Sequence, residues 1–463
     1  MRINFASQAY QSRSRPLMAQ RLVNMYFEPA PEGSKAPGAL FGTPGLDLFA
    51  TVGDGPIWGL RGMGSYLYAV SGDNVYRIDQ NSSGTNLGTI GTVSDVVMMD
   101  DNGTYVIIVK EDGATYYADS SSLTQITDAQ FESASSVAVI DGYAAFTRKD
   151  TDEVAVSDLN DITAYDATAW RQADATPDIT VRVFNYKGSL WVFCKKHTEV
   201  WYDSGVDSMP FKPIQQASIT RGCIAKRSVV AEDNTLFFVG DDKTVYRMNG
   251  YTPERISTHA IEKVLEDAGD ISDAEAFCYT QEGHKFYCLT LPTALLTYCY
   301  DISTGLWHQR QSFEEGRWRA SSFAFHFSKN LVGDFETGKI YELNLDAYDE
   351  NGAVLQAIAT SAPVFKDKAR LTHDKVWIDF DTGVGLLSGQ GSDPQAMLRF
   401  SDDGGNNWSN EKWRSLGATG EYSTQVAWTG LGQARHRIYE VTITDPVKRH
   451  ITGAYANIRV GRA

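Results

Sequence analysis

One pattern recurs along most of this chain of 463 residues: a short apolar strand, a turn of Gly, Asp, Asn or Lys, and a second strand that carries an aromatic residue. Each copy alternates apolar and polar residues around its turn, which predicts a β-hairpin. The copies return about every 44 residues, a period typical of four-stranded propeller blades. The seven copies occupy 66–79, 105–119, 143–158, 190–203, 236–249, 286–301 and 330–344.

Further apolar segments flank these hairpins and supply the remaining strands of each unit. An inner strand is predicted before a hairpin, as at 136–140, and a short outer strand after it, as at 123–127. A propeller leaves only short, protected sheet edges because its blades repeat around a ring. We therefore predict an all-β fold with a β-propeller of seven blades, or six because the third and sixth copies are irregular. Two consecutive β-sandwiches would give a similar alternation and stay open as an alternative.

Composition divides the chain into three parts. Residues 1–55 contain a Pro- and Gly-rich stretch and predict an extended N-terminal arm with little core of its own. Residues 56–350 hold the repeats, and 355–463 hold five or more short strands that indicate a C-terminal β-sandwich domain. Helix is sparse, and the spacing of apolar residues predicts a short one over 258–269.

The charge balance argues against simple DNA binding. Lys and Arg number 42 and Asp and Glu 58, so the net charge is -16, whereas proteins that bind DNA by affinity are normally basic. The N-terminal segment has no apolar stretch of the length of a secretory signal, which predicts a cytoplasmic start. No run of 18 apolar residues occurs, so we expect no membrane-spanning helix.

The chain carries no recognisable catalytic signature. It has no HExxH, GxSxG or GxxxxGK[ST] motif, so we expect no enzyme activity, no catalytic residues and no cofactor. The five cysteines are an odd number without a CxxC pair, which favours reduced, buried thiols. The spacing of Cys278, Cys288 and Cys299 does not match a zinc site, and we expect no bound metal.

A local motif in the C-terminal part matches the S-x-D-x-G-x-x-W pattern called an Asp box. Its residues are Ser401, Asp403, Gly405 and Trp408. The Ser and Asp side chains are expected to hold a tight hairpin turn through backbone hydrogen bonds while the Trp packs beneath, so the motif is structural. Sialidases and other carbohydrate-active propellers carry several such boxes, which leaves a carbohydrate-binding or sialidase-like propeller as the alternative function.

Several short motifs resemble one protein family. The segments at 21–26, 41–46 and 55–60, followed by 220–225 and 256–263, are similar to the packaged-DNA stabilisation proteins, also called tail hub or nozzle proteins, of short-tailed bacteriophages. That family has the same order of arm, propeller and C-terminal β-domain. The motif positions, expected to be structural or to serve assembly, are Asn24, Tyr26, Gly42, Thr43, Pro44, Gly45 and Leu46.

The resemblance implies a structural virion protein of the phage tail, assembled in the host cytoplasm. It implies a homo-oligomeric ring, a hexamer, below the portal and the head-to-tail adaptor, with a tail needle, tailspike or fibre as further partners. Double-stranded DNA would pass through the lumen without sequence-specific binding. The arm would become ordered on a neighbour, and its positive charges at Arg13, Arg15 and Arg21 would suit an acidic partner.

Overall fold

The computed structural model describes residues 1–5, 7–176, 178–206 and 208–461, and within them seven four-stranded antiparallel units follow one another as the blades of a propeller. Five of these units are separate sheets, and the last two are parts of larger sheets. The predicted all-β propeller is confirmed, with seven blades and not six. The alternative of two consecutive sandwiches is wrong, because each four-strand unit pairs only with itself over most of the ring.

Blades 1 to 5 are each built from four strands that are consecutive in the sequence. Their bounds are Ile57–Met63, Tyr66–Ser71, Asn74–Ile78 and Gly84–Thr89 in blade 1; Met98–Asp101, Val106–Val109, Thr115–Ala118 and Leu123–Gln125 in blade 2; and Ala134–Ile140, Tyr143–Arg148, Glu153–Val156 and Trp170–Gln172 in blade 3. They are Thr180–Tyr186, Ser189–Cys194, Thr198–Asp203 and Phe211–Pro213 in blade 4, and Val230–Glu232, Thr235–Val239, Val245–Asn249 and Thr252–Arg255 in blade 5.

The last two blades connect the ring to the rest of the chain. Blade 6 comprises Glu275–Gln281, His284–Leu291, Leu296–Asp301 and Leu306–Gln309. Blade 7 comprises Ala320–His326, Lys329–Asp334 and Lys339–Asn344, and its fourth strand is Gly45–Thr51 from the N-terminal segment. The start of the chain therefore closes the ring. Two short strands, Asp349–Glu350 and Ala353–Val354, extend the sheet of blade 7 beyond Gly45–Thr51.

The C-terminal part forms a β-sandwich that shares strands with the N-terminal segment. One sheet contains Leu22–Val23, Ala357–Thr360, His436–Ile443, Gln395–Ser401 and Lys412–Ser415, with Val364–Phe365 paired to the third of these. It is continuous with blade 6, because Val23 pairs with Gln309. The other sheet contains Met25–Pro29, Gly38–Gly42, His450–Val460, Leu371–Phe380 and Ala427–Thr429, with Gln433–Ala434 paired to the fourth.

The N-terminal segment is extended, as expected, but it is packed into its own chain. Leu22, Met25, Leu40 and Leu46 are buried in the core. A separate two-stranded ribbon, Tyr10–Gln11 with Ala19–Gln20, precedes them. The arm had been expected to contribute little core because Pro and Gly dominate its middle. Its apolar residues instead complete two sandwich sheets and one blade. The domain limits 1–55, 56–350 and 355–463 stay a prediction.

The α-helix His259–Asp267 confirms the helix expected over 258–269. Its N-cap is Thr258, whose side chain accepts a hydrogen bond from the backbone N–H of Ile261, and the buried residues Ile261 and Leu265 lie on one face. A 3-10 turn over Lys226–Ser228 precedes blade 5 and was not predicted.

Buried apolar clusters lie between successive blades around the ring. The largest cluster joins blades 5 and 6, the helix and the sandwich in one core that includes Phe237, Leu265, Trp307 and Tyr439. Burial of such side chains stabilises a fold by about 2 kcal/mol each. The sandwich therefore shares a hydrophobic core with the propeller.

Candidate functional site

The family-motif residues meet where the N-terminal segment passes between blade 6, blade 7 and the sandwich. Asn24 is fully buried and has a φ of 53°, in the left-handed region that Asn tolerates better than most residues. Its Nδ2 donates to the carbonyl oxygens of Gln311 and Gln356 at 2.8 Å each, and its Oδ1 accepts from the N–H of Gln311 at 3.0 Å. One side chain thus ties the arm to the end of blade 6 and to the first sandwich strand.

Tyr26 lies two residues after Asn24, in an aromatic cluster between the sandwich and blade 6. Its ring centroid is 5.0 Å from that of His284, 5.3 Å from that of Phe286 and 6.1 Å from that of Phe41. Burial, with a contribution from Glu28, raises the pKa of the Tyr26 hydroxyl well above its ordinary value. Tyr26 therefore acts as a neutral packing residue at this junction.

The segment from Gly42 to Leu46 runs through a narrow space between backbone groups. The N–H of Thr43 donates to the carbonyl oxygen of Asn24 at 3.1 Å. A Cβ at Gly42 would lie 3.3 Å from the Arg449 side chain. At Gly45 a Cβ would lie 2.4 Å from the carbonyl oxygen of Asp349, so a side chain does not fit there. Leu46 is fully buried and is the second residue of the strand Gly45–Thr51, which closes blade 7.

Two buried arginines hold this segment from both sides. Arg310 Nη2 donates to the carbonyl oxygen of Pro44 at 3.1 Å, and its guanidinium lies 3.8 Å from the ring centroid of Trp318. Arg449 Nη1 donates to the carbonyl oxygens of Tyr348 and Leu355 at 2.9 Å each. Burial, and then the charge of Arg310, lowers the pKa of Arg449 to about 10.

A buried carboxyl accompanies these cations. Glu350 is 2% exposed, and its carboxylate lies 3.6 Å from Nε of Arg319. Burial raises the pKa of Glu350, while Arg310 and Arg319 act in the opposite direction. Buried charges are costly to leave unpaired, so this cluster fixes how the propeller and sandwich meet. Sequence reasoning missed Arg310, Arg449 and Glu350, because charged residues are normally expected at the surface.

The Asp-box residues form a turn at the edge of the sandwich. Asp403 Oδ1 accepts from the N–H groups of Asn406 at 3.0 Å and Asn407 at 2.9 Å, and Ser401 Oγ accepts from the N–H of Gly405 at 2.8 Å. These bonds lower the pKa of Asp403 to about 2. Trp408 is half-buried, with the Arg399 guanidinium 4.9 Å from its ring centroid.

The predicted arm cations divide between two contacts within the chain. Arg13 lies 3.8 Å from the carboxylate of Glu266 in the helix, with both side chains exposed. Arg21 lies 3.8 Å from the carboxylate of Glu440, which is fully buried and also accepts from Arg399 Nε at 2.7 Å. These arginines were expected to contact a neighbouring subunit. In the structure, Arg13 and Arg21 instead form ion pairs within their own chain.

The propeller axis is bridged by side chains from opposite blades. Arg227, before blade 5, reaches Asp95, before blade 2, with 2.5 Å between Nη1 and the carboxylate oxygen. Arg227 Nη2 also donates to the carbonyl oxygen of Asp273 at 2.9 Å. Beside it, Glu275 of blade 6 pairs with Arg317 at 2.6 Å. These contacts connect segments at the inner ends of blades 2, 5 and 6.

The His, Cys, Asp and Glu side chains of the described residues were compared with the groupings that bind a metal ion, and the cysteines with disulfide pairs. There, no group of three or more His, Cys, Asp and Glu side chains could hold a metal ion. The five cysteines, including Cys288 and Cys299 on paired strands, are all free and buried. Across the same described residues, no helix is long and apolar enough to cross a membrane.

The fold and this junction define a class: a seven-bladed propeller that shares strands, core and a buried ionic cluster with a C-terminal β-sandwich. A family model described as bacteriophage P22 Gp10, beta-propeller, matches residues 1–348, and one described as bacteriophage P22 Gp10, beta-sandwich, matches residues 358–459. The chain belongs to this family, the packaged-DNA stabilisation proteins of podophages, which are structural proteins of the phage tail. The resemblance found in the sequence is thereby confirmed.

Other comparisons are more distant. No curated protein matches the sequence. Among solved structures, the WD40 beta propeller domain of Doa1 has a TM-score of 0.43 at 13% identity, covering 65% of this chain and 97% of that chain. The computationally designed Ika8 protein has a TM-score of 0.39 at 10% identity, covering 64% of this chain and 99% of that chain. The fold assignment rests on the strand pairings and the family models.

Proposed function

We propose that this protein forms a ring of about six copies below the portal and its adaptor, where it extends the DNA channel, retains the packaged genome and permits its ejection. The observation that carries the proposal is the family match across both propeller and sandwich. The mature location is the virion, after assembly in the host cytoplasm. A tail needle, tailspike or fibre would dock at the distal end. The role is structural and involves no catalysis.

An ion pair between opposite blades of the propeller supports a lumen between copies. The Arg227–Asp95 pair spans the axis of one propeller. A DNA duplex, whose major groove alone is about 12 Å wide, needs a far larger passage than the space beside this pair. DNA would therefore pass along the axis of the ring of subunits.

The net charge suits passage without adhesion. Each chain carries a net charge of -16, so a ring multiplies an already acidic surface. Acidic walls repel phosphate, and the release of counterions that drives DNA binding would be absent. Retention of the genome would then be mechanical, by closure of the ring or by a plug in it.

A closed ring needs two different surfaces on each copy, because head-to-tail contacts are heterologous. One candidate surface lies on blades 3 and 4, roughly opposite blades 6 and 7 that carry the sandwich, and exposes Leu159, Trp170 and Tyr202. Another lies on the sandwich, where Leu387 is 93% exposed and Tyr422 is 75% exposed. The loops that carry them are packed together, since Thr382 Oγ1 donates to the carbonyl oxygen of Tyr422 at 2.8 Å.

The test is the mass of the purified protein by light scattering, alone and mixed with the phage adaptor, with negative-stain images of any large species. A ring of about six copies supports the proposal, and a protein that stays monomeric with the adaptor overturns it. Deleting 1–55 would be a poor variant, because it removes the closing strand Gly45–Thr51 of blade 7.

Point substitutions test the ring contacts more sharply. Tyr202→Glu and Leu387→Glu should each abolish the ring while the circular dichroism spectrum and Tm stay unchanged, since both side chains are exposed. Phe325→Glu is the matched control, because Phe325 is 67% exposed but lies outside both surfaces. Rings formed equally well by all three variants would reject these two surfaces as the contact.

The carbohydrate alternative rests on the Asp box. Its Ser401 and Asp403 oxygens are engaged in hydrogen bonds within the turn. That engagement supports a structural role for the motif and does not favour this second function.

A further inference from the structure

The propeller contains a cavity of about 370 Å³ on its axis, which we call the well. The inner strands of six blades contribute to its walls. Arg227, which pairs with Asp95, is also part of the lining. Sites for small molecules are commonly cavities of about 300–1,000 Å³ with apolar walls and few polar groups. The well has the size of such a site.

Most charges along the well are paired. Arg61 lies 2.6 Å from carboxylate oxygens of both Asp100 and Asp101. Glu232 lies 3.1 Å from Nζ of Lys285. Together with the Glu275–Arg317 pair, these contacts neutralise the lining nearly everywhere.

Arg182 differs from the other cations of the well. Its Nη1 donates to the carbonyl oxygens of Lys226 and Val229 at 2.7 Å each, and its guanidinium lies 4.9 Å from the ring centroid of Phe184. Among the described residues it has no ion-pair partner, and its Nε is buried without a hydrogen bond. Burial lowers the pKa of Arg182 to about 10. Arg182 is partly buried, and a partly buried cation without a counter-ion is unfavourable, so an anion placed beside it would recover part of that cost.

Aromatic and aliphatic side chains form part of the walls of the well. Phe277 and Phe323 lie parallel, with ring centroids 5.5 Å apart and an interplanar angle of 7°. Both line the well, as do Met98 and Phe184. A guanidinium in a cavity that also has such apolar surfaces suits a ligand with an anionic head and an apolar body.

We propose that the well binds a small oxyanion, a carboxylate or phosphate group, with the guanidinium of Arg182 as its anchor. The group can belong to a free small molecule or to an acidic side chain of a partner protein, since the chemistry at Arg182 is the same. This site is separate from the junction and from the ring contacts, so it stands independently of the proposed function.

The experiment is isothermal titration calorimetry of the full chain at low salt with three probes: inorganic phosphate, phenylacetate, and a short peptide of Glu and Phe. Arg182→Gln should raise the Kd at least about tenfold, because it removes the charged donor. Arg77→Gln is the matched control, since Arg77 also lies over an aromatic ring, at 4.5 Å from the centroid of Tyr66, but outside the well. It should leave the Kd unchanged.

A second variant keeps the test decisive if Arg182→Gln does not fold. Glu232→Gln removes a negative charge that lines the well, while Lys285 keeps its pair with Asp233 at 2.9 Å, so it should tighten anion binding by about threefold. Saturable one-to-one binding of phosphate or phenylacetate with these responses supports a free ligand. Binding of the peptide alone, with the same responses, supports a partner's carboxylate. Absence of saturable binding of every probe, or binding that neither well variant changes, overturns the proposal.

Discussion

Asn24 and Gln311 are joined by two reciprocal hydrogen bonds, although 287 positions separate them in the chain: Asn24 Oδ1 accepts from the Gln311 N–H at 3.0 Å, and Asn24 Nδ2 donates to the Gln311 carbonyl oxygen at 2.8 Å. The side-chain amide of Asn24 thereby bonds the backbone N–H and carbonyl groups of Gln311 just after blade 6, as a neighbouring strand would. A third bond from the same side chain, to Gln356, reaches the sandwich. Blade, arm and sandwich are locked together at this one buried residue.

Replacing Asn24 with Ala should therefore destabilise the whole molecule. The change leaves partly buried backbone groups of Gln311 and Gln356 without their Asn24 partner and places Ala at a φ of 53°. We expect the free energy of unfolding, measured by urea denaturation, to fall by about 3–5 kcal/mol.

Asn351→Ala is the matched control for Asn24→Ala. Asn351 also has a φ of 53°, but its side chain is exposed. Asn351→Ala should lower the free energy of unfolding only by the cost of placing Ala at a positive φ, about 1 kcal/mol. Equal losses for the two variants would show that the hydrogen bonds of Asn24 contribute nothing.

Gly45→Ala should weaken the closure of the ring. A Cβ at this position would lie 2.4 Å from the carbonyl oxygen of Asp349 and 2.5 Å from that of Ala347, so backbone must move. We expect a loss of about 2–3 kcal/mol in the free energy of unfolding. Hydrogen exchange should also become faster in the paired strand Lys339–Asn344.

Gly64→Ala provides the comparison for Gly45→Ala. Gly64 has a φ of +59° and nothing within 4 Å of its Cβ position, so Ala there meets conformational strain without a clash. Its cost should be about 1 kcal/mol, with exchange in Lys339–Asn344 unchanged. If both variants speed exchange in that strand alike, tight packing at Gly45 is not what closes blade 7.

The repeated hairpins could be predicted because their information is local. Alternation of apolar and polar residues sets which face of a strand is buried, and the turns lie between the strands they connect. The helix was predicted for the same reason, since Thr258 caps it and Ile261 and Leu265 share one face. These features need no knowledge of distant residues.

Ring closure and the junction depend on contacts that sequence patterns do not encode. Leu46 pairs with Leu343, nearly the length of the propeller away in sequence, and nothing local in either strand specifies the other. Arg310 and Arg449 look like surface residues until tertiary packing buries them. The motif positions Asn24 and Gly45 were found by resemblance alone. The contacts that require Asn and Gly at these positions form only in the assembled junction.

Asp403→Ala should loosen the Asp-box turn and the arm ribbon that lies on it. Asp403 Oδ1 accepts two backbone N–H groups, and the Cβ position of Gly404 in the same turn is 2.9 Å from the backbone nitrogen of Pro16. We expect faster hydrogen exchange at Asn406 and Asn407, and faster proteolysis near Pro16. Because the pKa of Asp403 is lowered to about 2, the wild-type turn should persist as the pH falls until it approaches that value. Unchanged exchange at Asn407 in Asp403→Ala would contradict this role.

His373 should make the sandwich sensitive to mild acid. It is 1% exposed, and its Nδ1 lies 2.6 Å from the hydroxyl of Tyr439. Burial, and then the charge of Arg437, lowers the pKa of His373 from 6.5 to about 4. Between these values the unfolded chain binds more protons than the native one, so stability falls as the pH drops through this window.

The measurement for His373 is urea denaturation at pH 7 and pH 5. The lowered pKa corresponds to a loss of about 2 kcal/mol between these pH values from this group alone. His373→Phe keeps a ring of similar size without a titrating nitrogen, so its pH-dependent loss should be smaller than that of the wild type by this amount. Tyr439→Phe retains the histidine and removes its hydroxyl partner, and it should keep the wild-type slope despite a lower stability at both pH values. The acid sensitivity is attributed to the buried neutral imidazole of His373, which His373→Phe removes. The same pH dependence in His373→Phe and the wild type would therefore exclude His373 as the acid-sensitive group.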